Sequence, residues 1–162
     1  MIRQAGINDV SRIAEILIFT KRMTYRPIFQ DDPVSFGKMQ VVPLAEEYIA
    51  HPERIGQIWV WEDIFVKGLI TLHYFEYKKA LWVDELYVEP FFHGEGIGSR
   101  LLDFADEKAA KMNADTIFLW VLEKNEKARL IYEKHGYVQT GERKFQEGTP
   151  EYIVKYQKTV IH

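Results

Sequence analysis

The chain has 162 residues, 47% of them hydrophobic and 28% charged, with a formal net charge of −3 and no cysteine. That length suits one domain with a real core. The balance is that of a globular chain, neither disordered nor built of membrane spans. Without cysteine there is no disulfide, no thiolate metal site and no cysteine nucleophile. With no long basic run, no nucleic-acid partner is expected. The N-terminus, Met1-Ile2-Arg3-Gln4-Ala5-Gly6, lacks a signal-peptide core and no apolar run is of bilayer length. A cytoplasmic protein with no membrane partner is therefore expected.

Residues 2–5 read as a short strand. Asn8 is placed to cap a helix bearing Val10, Ile13, Leu17 and Thr20 at helical spacing, and Pro27 is expected to stop it. Residues 25–43, with three prolines and one glycine, read as irregular or partly helical. A short helix over about 44–50 precedes His51-Pro52. Strand-like runs follow at 57–61, 64–75 and 80–88, rich in Ile, Val, Leu, Trp, Tyr and Phe. The brief polar breaks between them favour antiparallel hairpins, and Gly68 marks a candidate bulge.

The pattern then changes. A glycine-rich turn at 94–98 opens a helix with Leu101, Leu102, Ala105, Ala109 and Met112 on one face, and a strand follows at 116–121. A connection of this length implies a right-handed crossover between parallel strands. A second helix at 125–135 carries Ala128, Ile131, Tyr132 and His135 along one side, with Gly136 where a helix ends. Strands at 137–140 and 151–157 close the chain. The fold class is α/β, its sheet antiparallel early and parallel in the middle.

The most informative segment runs from Leu86-Tyr87-Val88 through Glu89-Pro90-Phe91-Phe92-His93 into Gly94-Glu95-Gly96-Ile97-Gly98-Ser99. Alternating glycines let the main chain approach a ligand closely. A helix start adds unpaired N–H groups and partial positive charge, which suits a phosphate. The same glycines also suit a tight turn with no ligand. A P-loop would need Lys followed by Ser or Thr where Ser99-Arg100 stand. A dinucleotide fingerprint would need Gly in place of Ser99 and an acid at the end of the next strand, whereas Asp115 precedes that strand.

Leu86-x-Val88-x-Pro90 followed by His93-x-x-Gly96-x-Gly98 resembles the acyl-CoA-binding motif of the GNAT superfamily of N-acetyltransferases. Downstream, Asn125-x-x-Ala128-x-x-x-Tyr132-x-x-x-Gly136-Tyr137 resembles that family's second motif, in the same order and at a matching separation. The resemblance covers essentially the whole chain. It implies a single GNAT-like α/β domain over residues 1–162: a mixed central sheet with antiparallel N-terminal strands and a splayed parallel middle pair, flanked by helices. One position departs from the motif, since His93 stands where the family usually has Arg or Gln.

The resemblance implies acetyl-CoA as co-substrate and no metal. The pyrophosphate would lie over His93, Gly94, Glu95, Gly96, Ile97, Gly98 and Ser99. The pantetheine arm would pair with main-chain groups of Tyr87 and Val88 like an added strand, with Asn125 bonding the arm next to Ala128. Tyr132 would protonate the departing thiolate, a transfer uphill by about 2 kcal/mol for unperturbed groups; by spacing alone it reads as a core tyrosine. The Val88 N–H would stabilise the oxyanion. Deprotonating an alkylammonium at neutral pH costs about 4.6 kcal/mol, so a base or water chain is expected. Glu85 is the candidate base and His73 the alternative; some family members carry a glutamate at the position of Trp120. Tyr25 and Phe29, with Arg26, Asp31 and Asp32, lie in the stretch that would line the acceptor pocket. The function read is direct transfer, in a ternary complex, of an acetyl group to the primary amine of a small molecule. The alternatives are a protein or peptide N-acetyltransferase and a non-catalytic acyl-CoA-binding sensor. Residues 152–154 are a possible homodimer contact.

Overall fold

Apolar runs separated by two to four polar residues turn straight back on themselves, and the first half of the sheet follows from that. The computed structural model describes residues 1–162. Its strands are β1 (Ile2–Gln4), β2 (Ile58–Asp63), β3 (Phe65–Phe75), β4 (Ala80–Val88), β5 (Thr116–Leu122), β6 (Val138–Phe145) and β7 (Tyr152–Thr159). Its helices are α1 (Val10–Phe29), α2 (Val41–Ala50), α3 (Ile97–Lys111) and α4 (Glu126–Lys134). The seven strands form one sheet in the order β1-β2-β3-β4-β5-β7-β6. The β1–β2, β2–β3, β5–β7 and β6–β7 pairs are antiparallel. The pair joined through α3 is parallel, running from Ala80↔Thr116 to Val83↔Leu119. The expected α/β class with a mixed sheet is borne out. The parallel ladder stops at Val83↔Leu119, although β4 continues to Val88 and β5 to Leu122.

Several boundaries differ from expectation for physical reasons. Asn8 is not the cap of α1. It lies inside a 3-10 turn, Ile7–Asp9, and the carboxylate of Asp9 accepts from the Gly6 N–H at 2.8 Å. Pro27 does not end α1, which runs on to Phe29. A proline this close to the C-terminus costs one bond in the last turn, and Gln30 (φ 54°) then closes the helix by donating to the Arg26 carbonyl at 2.9 Å. α2 begins at Val41, before the expected position, because a proline such as Pro43 is tolerated in a first turn. Between these helices Pro33–Lys38 is a π-helical turn. β6 runs past Thr140 to Phe145. Its register with β7 jumps from Gln139↔Tyr156 to Arg143↔Val154, and Gly141 (φ 92°) lies within the irregularity. Every residue of β6 is exposed.

Gly68 has the expected irregularity beside it. Trp61 faces Gly68 and Glu62 faces Val66, so Lys67 is the extra residue. A side chain at Gly68 would come within 3.1 Å of the Tyr87 carbonyl oxygen and of Ile97. The missing Cβ lets the backbones approach.

The chain divides into two compact units, Met1–Thr71 with Glu85–Leu101, and Leu72–Asp84 with Leu102–His162. The core of the first packs Val10, Ile13, Ala14, Ile16 and Leu17 of α1 with Tyr48 of α2 and Ile58, Val60, Val66 and Leu69 of the sheet. In the second, Leu81, Val83, Leu102, Ala105, Ala109, Ile117, Leu119, Val154 and Tyr156 are buried. Each such large aliphatic side chain contributes about 1.5–3 kcal/mol by leaving water. No helix is long and apolar enough to cross a membrane.

Candidate functional site

In the first unit, β4 ends at Val88 and Pro90–Phe92 makes a 3-10 turn that leads into the glycine segment. Gly94 and Gly96 have φ of 83° and 80°, a region closed to most side chains. A Cβ at either would meet nothing within 4 Å, so the main chain lies open there. The Arg100 N–H donates to the Gly96 carbonyl at 3.1 Å and starts the α3 ladder. The N–H groups of Ile97, Gly98 and Ser99 precede that ladder and have no intrahelical acceptor. This is a helix start equipped for an anion.

The segment is anchored at its base. The Glu89 N–H donates to the Lys67 carbonyl at 2.9 Å. Arg12 of α1 pairs with the Glu89 carboxylate, donates to the Val66 carbonyl at 2.9 Å and also meets Glu15. Phe92 packs on Phe65, ring centres 5.5 Å apart, with the Lys67 ammonium over both rings. His93 is exposed, and its Nε2 lies 2.7 Å from the Val88 carbonyl oxygen. Only a ring nitrogen carrying hydrogen can donate there. The residue that departs from the family pattern therefore ties the loop back to the end of β4.

Also in the first unit, Lys21, Tyr25 and Phe29 recur at four-residue spacing on one face of α1. The Tyr25 and Tyr87 hydroxyls are 3.0 Å apart, and Tyr25 meets Phe29 edge-on at 5.8 Å. Burial pushes the Tyr25 phenol up, while its bond to Tyr87 pulls the other way. Lys21 Nζ lies 3.9 Å from Glu85 Oε2 and 5.9 Å from the centre of the Tyr87 ring. The hydroxyl of buried Thr71 donates to Glu85 Oε1 at 3.4 Å. Thr71 and His73 are two apart on β3 and so share a face, yet their partners Glu85 and Asp84 are neighbours on β4.

In the second unit, Asn125 precedes α4 and accepts the Ala128 N–H at 3.3 Å, a capping bond that leaves its amide NH2 as donor. Tyr132 is half-buried and meets the Tyr137 ring edge-on at 6.0 Å. Arg129 donates to the Tyr156 hydroxyl at 3.0 Å and to the Glu123 carbonyl at 2.9 Å, and that hydroxyl donates to Glu133 at 2.8 Å. These bonds fix α4 to β7. Tyr137 is buried and its hydroxyl has no partner, nor has Asp106 Oδ1. Burial, with the nearby charge of Asp106, pushes the Tyr137 phenol far up. His73 Nε2 is 3.0 Å from Asp84, and its ring lies 5.0 Å from Trp82. A hollow of about 800 Å³ is lined by Asp106, His135 and Lys158 among others. No cluster of three or more His, Cys, Asp or Glu comes together as metal ligands.

Residues 54–139, more than half of the chain, match the family model described as the acetyltransferase (GNAT) domain. The chain belongs to the GNAT family. Over 58 residues it is 45% identical to an uncharacterised N-acetyltransferase of Archaeoglobus fulgidus, covering 36% of this chain and 40% of that one. Over 91 residues it is 30% identical to the uncharacterised N-acetyltransferase YdgE of Bacillus subtilis, covering 56% and 52%. The chain thus spans about half the length, or less, of these relatives. The N-acetyltransferase paia of Thermoplasma acidophilum, solved in complex with coenzyme A, shares the fold, with a TM-score of 0.71 over 96% of each chain at 20% identity.

Within this GNAT chain, Tyr25, Phe29, Glu85 and Tyr87 come together in the first unit, where the loop from His93 to Ser99 also lies. Asn125, Ala128 and Tyr132 lie on or next to α4 in the second unit. His73 is engaged with Asp84. Sequence reasoning did not single out Arg12, Lys21, Thr71 or Glu89. The one signal for Lys21 was its four-residue spacing to Tyr25 and Phe29, a stripe that neither charge nor hydropathy alone makes visible.

Proposed function

We propose that this chain is an acetyl-CoA-dependent N-acetyltransferase, one GNAT-like domain over residues 1–162, acting in the cytoplasm on the primary amine of a small molecule. Support comes chiefly from the open main chain at Gly94 and Gly96, which leads directly into the uncapped first turn of α3. That geometry fits a diphosphate, which accepts from N–H groups and favours the positive end of a helix. When bound, acetyl-CoA supplies the activated acetyl thioester.

In this reading the N–H groups of Ile97, Gly98 and Ser99 grip the diphosphate, and His93 keeps the loop seated against Val88. Main-chain groups of Tyr87 and Val88 carry the acyl arm, and the NH2 of Asn125 donates to it. Glu85 faces the incoming ammonium and takes up its proton. Tyr132 returns a proton to the leaving sulfur. Transfer is direct, in a ternary complex, since no cysteine is available to carry an acyl group.

The test is a panel of amines incubated with acetyl-CoA, following free thiol. Thiol release with at least one small amine is expected, and Tyr132→Phe should keep its affinity for coenzyme A while losing most turnover, on the order of 10²-fold or more. Coenzyme A binding with no thiol release from any amine would leave a silent acyl-CoA sensor and overturn the proposal. Unchanged turnover in Tyr132→Phe would remove that residue from the mechanism.

A further inference from the structure

We propose that the acceptor is a zwitterionic amine, one bearing a carboxylate, phosphonate or phosphate, with its ammonium on Glu85 and its anionic group on Lys21. This rests on the acetyltransferase reading and specifies its substrate class.

The inference comes from how the two charges sit. Lys21 Nζ is 3.9 Å from Glu85 Oε2, inside the range of an ion pair but beyond that of a hydrogen bond. Lys21 donates no hydrogen bond to the protein; the Tyr87 ring at 5.9 Å is its other neighbour. Its side chain keeps 30% exposure, so donors remain to be used. The Glu85 side chain is 19% exposed.

The opposed pair stands among groups suited to a small organic molecule. The Tyr25–Tyr87 hydroxyl pair supplies polar atoms, and the edge of Phe29 packs against Tyr25. Lys21, Tyr25 and Phe29 share one face of α1, so the cation and the aromatic wall are positioned by one rigid element, while Glu85 is held by β4.

Charge balance selects the ligand. A simple alkylamine or a polyamine approaching Glu85 brings a second positive charge next to Lys21, and like charges in a partly buried place repel. A zwitterion does the opposite. Its ammonium takes the carboxylate while its own anion satisfies the ammonium of Lys21, so one loose pair is exchanged for two closer ones.

The experiment uses matched pairs: phenylalanine and phenethylamine, serine and ethanolamine, lysine and cadaverine. Thiol release with acetyl-CoA and thermal shift without it are both measured. The amino acid of at least one pair should be preferred tenfold or more in kcat/KM. Lys21→Met should bring that ratio towards one, and Lys21→Arg should restore much of it. Equal use of both members of every pair, or a preference indifferent to Lys21→Met, overturns the proposal. If no amine is turned over, acetyl transfer fails, and the substrate class is then decided by binding alone. Stabilisation by an amino acid that Lys21→Met abolishes supports it, and no stabilisation by any amino acid sinks it.

Discussion

Tyr137 shows what a single buried atom can decide. Its hydroxyl is shut away without a partner, and such a group carries its desolvation cost uncompensated. Tyr137→Phe keeps the ring and is expected to raise stability by about 1 kcal/mol at neutral pH, read as an increased denaturation midpoint in urea. The pH dependence follows from the raised phenol. Above about pH 10 the unfolded chain ionises Tyr137 and the folded chain does not, so wild type loses stability as pH rises. The margin of the Phe variant should therefore widen in alkali; a constant margin would mean that the hydroxyl is hydrogen-bonded through water. At this scale, legibility divides sharply. Gly94 and Gly96 were legible because backbone geometry restricts those positions to glycine. Lys21 and Thr71 were not, because a helix lysine and a strand threonine are ordinary until their neighbours are known.

Among the elements, α1 does more than fill the core. Its Arg12 joins the Val66 carbonyl to Glu89, and Glu89 begins the turn that feeds the glycine loop. Arg12→Met keeps the length and apolar stem but leaves the poorly exposed Glu89 carboxylate without this cation. A stability loss of about 2 kcal/mol is expected, with a weakening of coenzyme A binding of about tenfold, measured by calorimetry. Affinity at the wild-type level would show that the loop holds its shape alone. The helices were readable from their apolar periodicity, and the parallel pair from the length of its crossover. The ends were harder. Pro27 is compatible with a helix that closes two residues later, and Gly141 bends a strand without ending it. Propensity marks both as breaks; the last-turn position excuses Pro27, and strand pairing carries β6 past Gly141.

For the molecule as a whole, acid should be the sensitive direction. Arg3 holds Asp9 and Glu62 below the usual carboxylate range, chiefly through side-chain hydrogen bonds. Arg26 does the same for Asp32, Arg143 for Glu123, and Lys155 for Glu142. A depressed carboxylate stabilises the folded state above its unfolded value and ceases to do so as pH falls through its folded one. Melting temperature should therefore hold between pH 7 and 5 and fall below about pH 4, by less in high salt where exposed pairs are screened. A fall between pH 7 and 5 would point to histidine instead. Composition made an apolar core expected, but the network of ion pairs had to await the fold, since Arg3 and Glu62 are remote in sequence.

The outermost strand carries a different consequence. β6 ends the sheet with its main-chain edge unclaimed, and it shows water Val138 at one end and Phe145 at the other. An edge of this kind invites other chains to stack on it, and proteins discourage such growth with charge and with kinks. Glu142, Arg143 and Lys144, next to the bend at Gly141, stand where such guards are needed. Their worth lies in storage and crowding: a chain stripped of them is expected to aggregate edge to edge, read as a rise in light scattering.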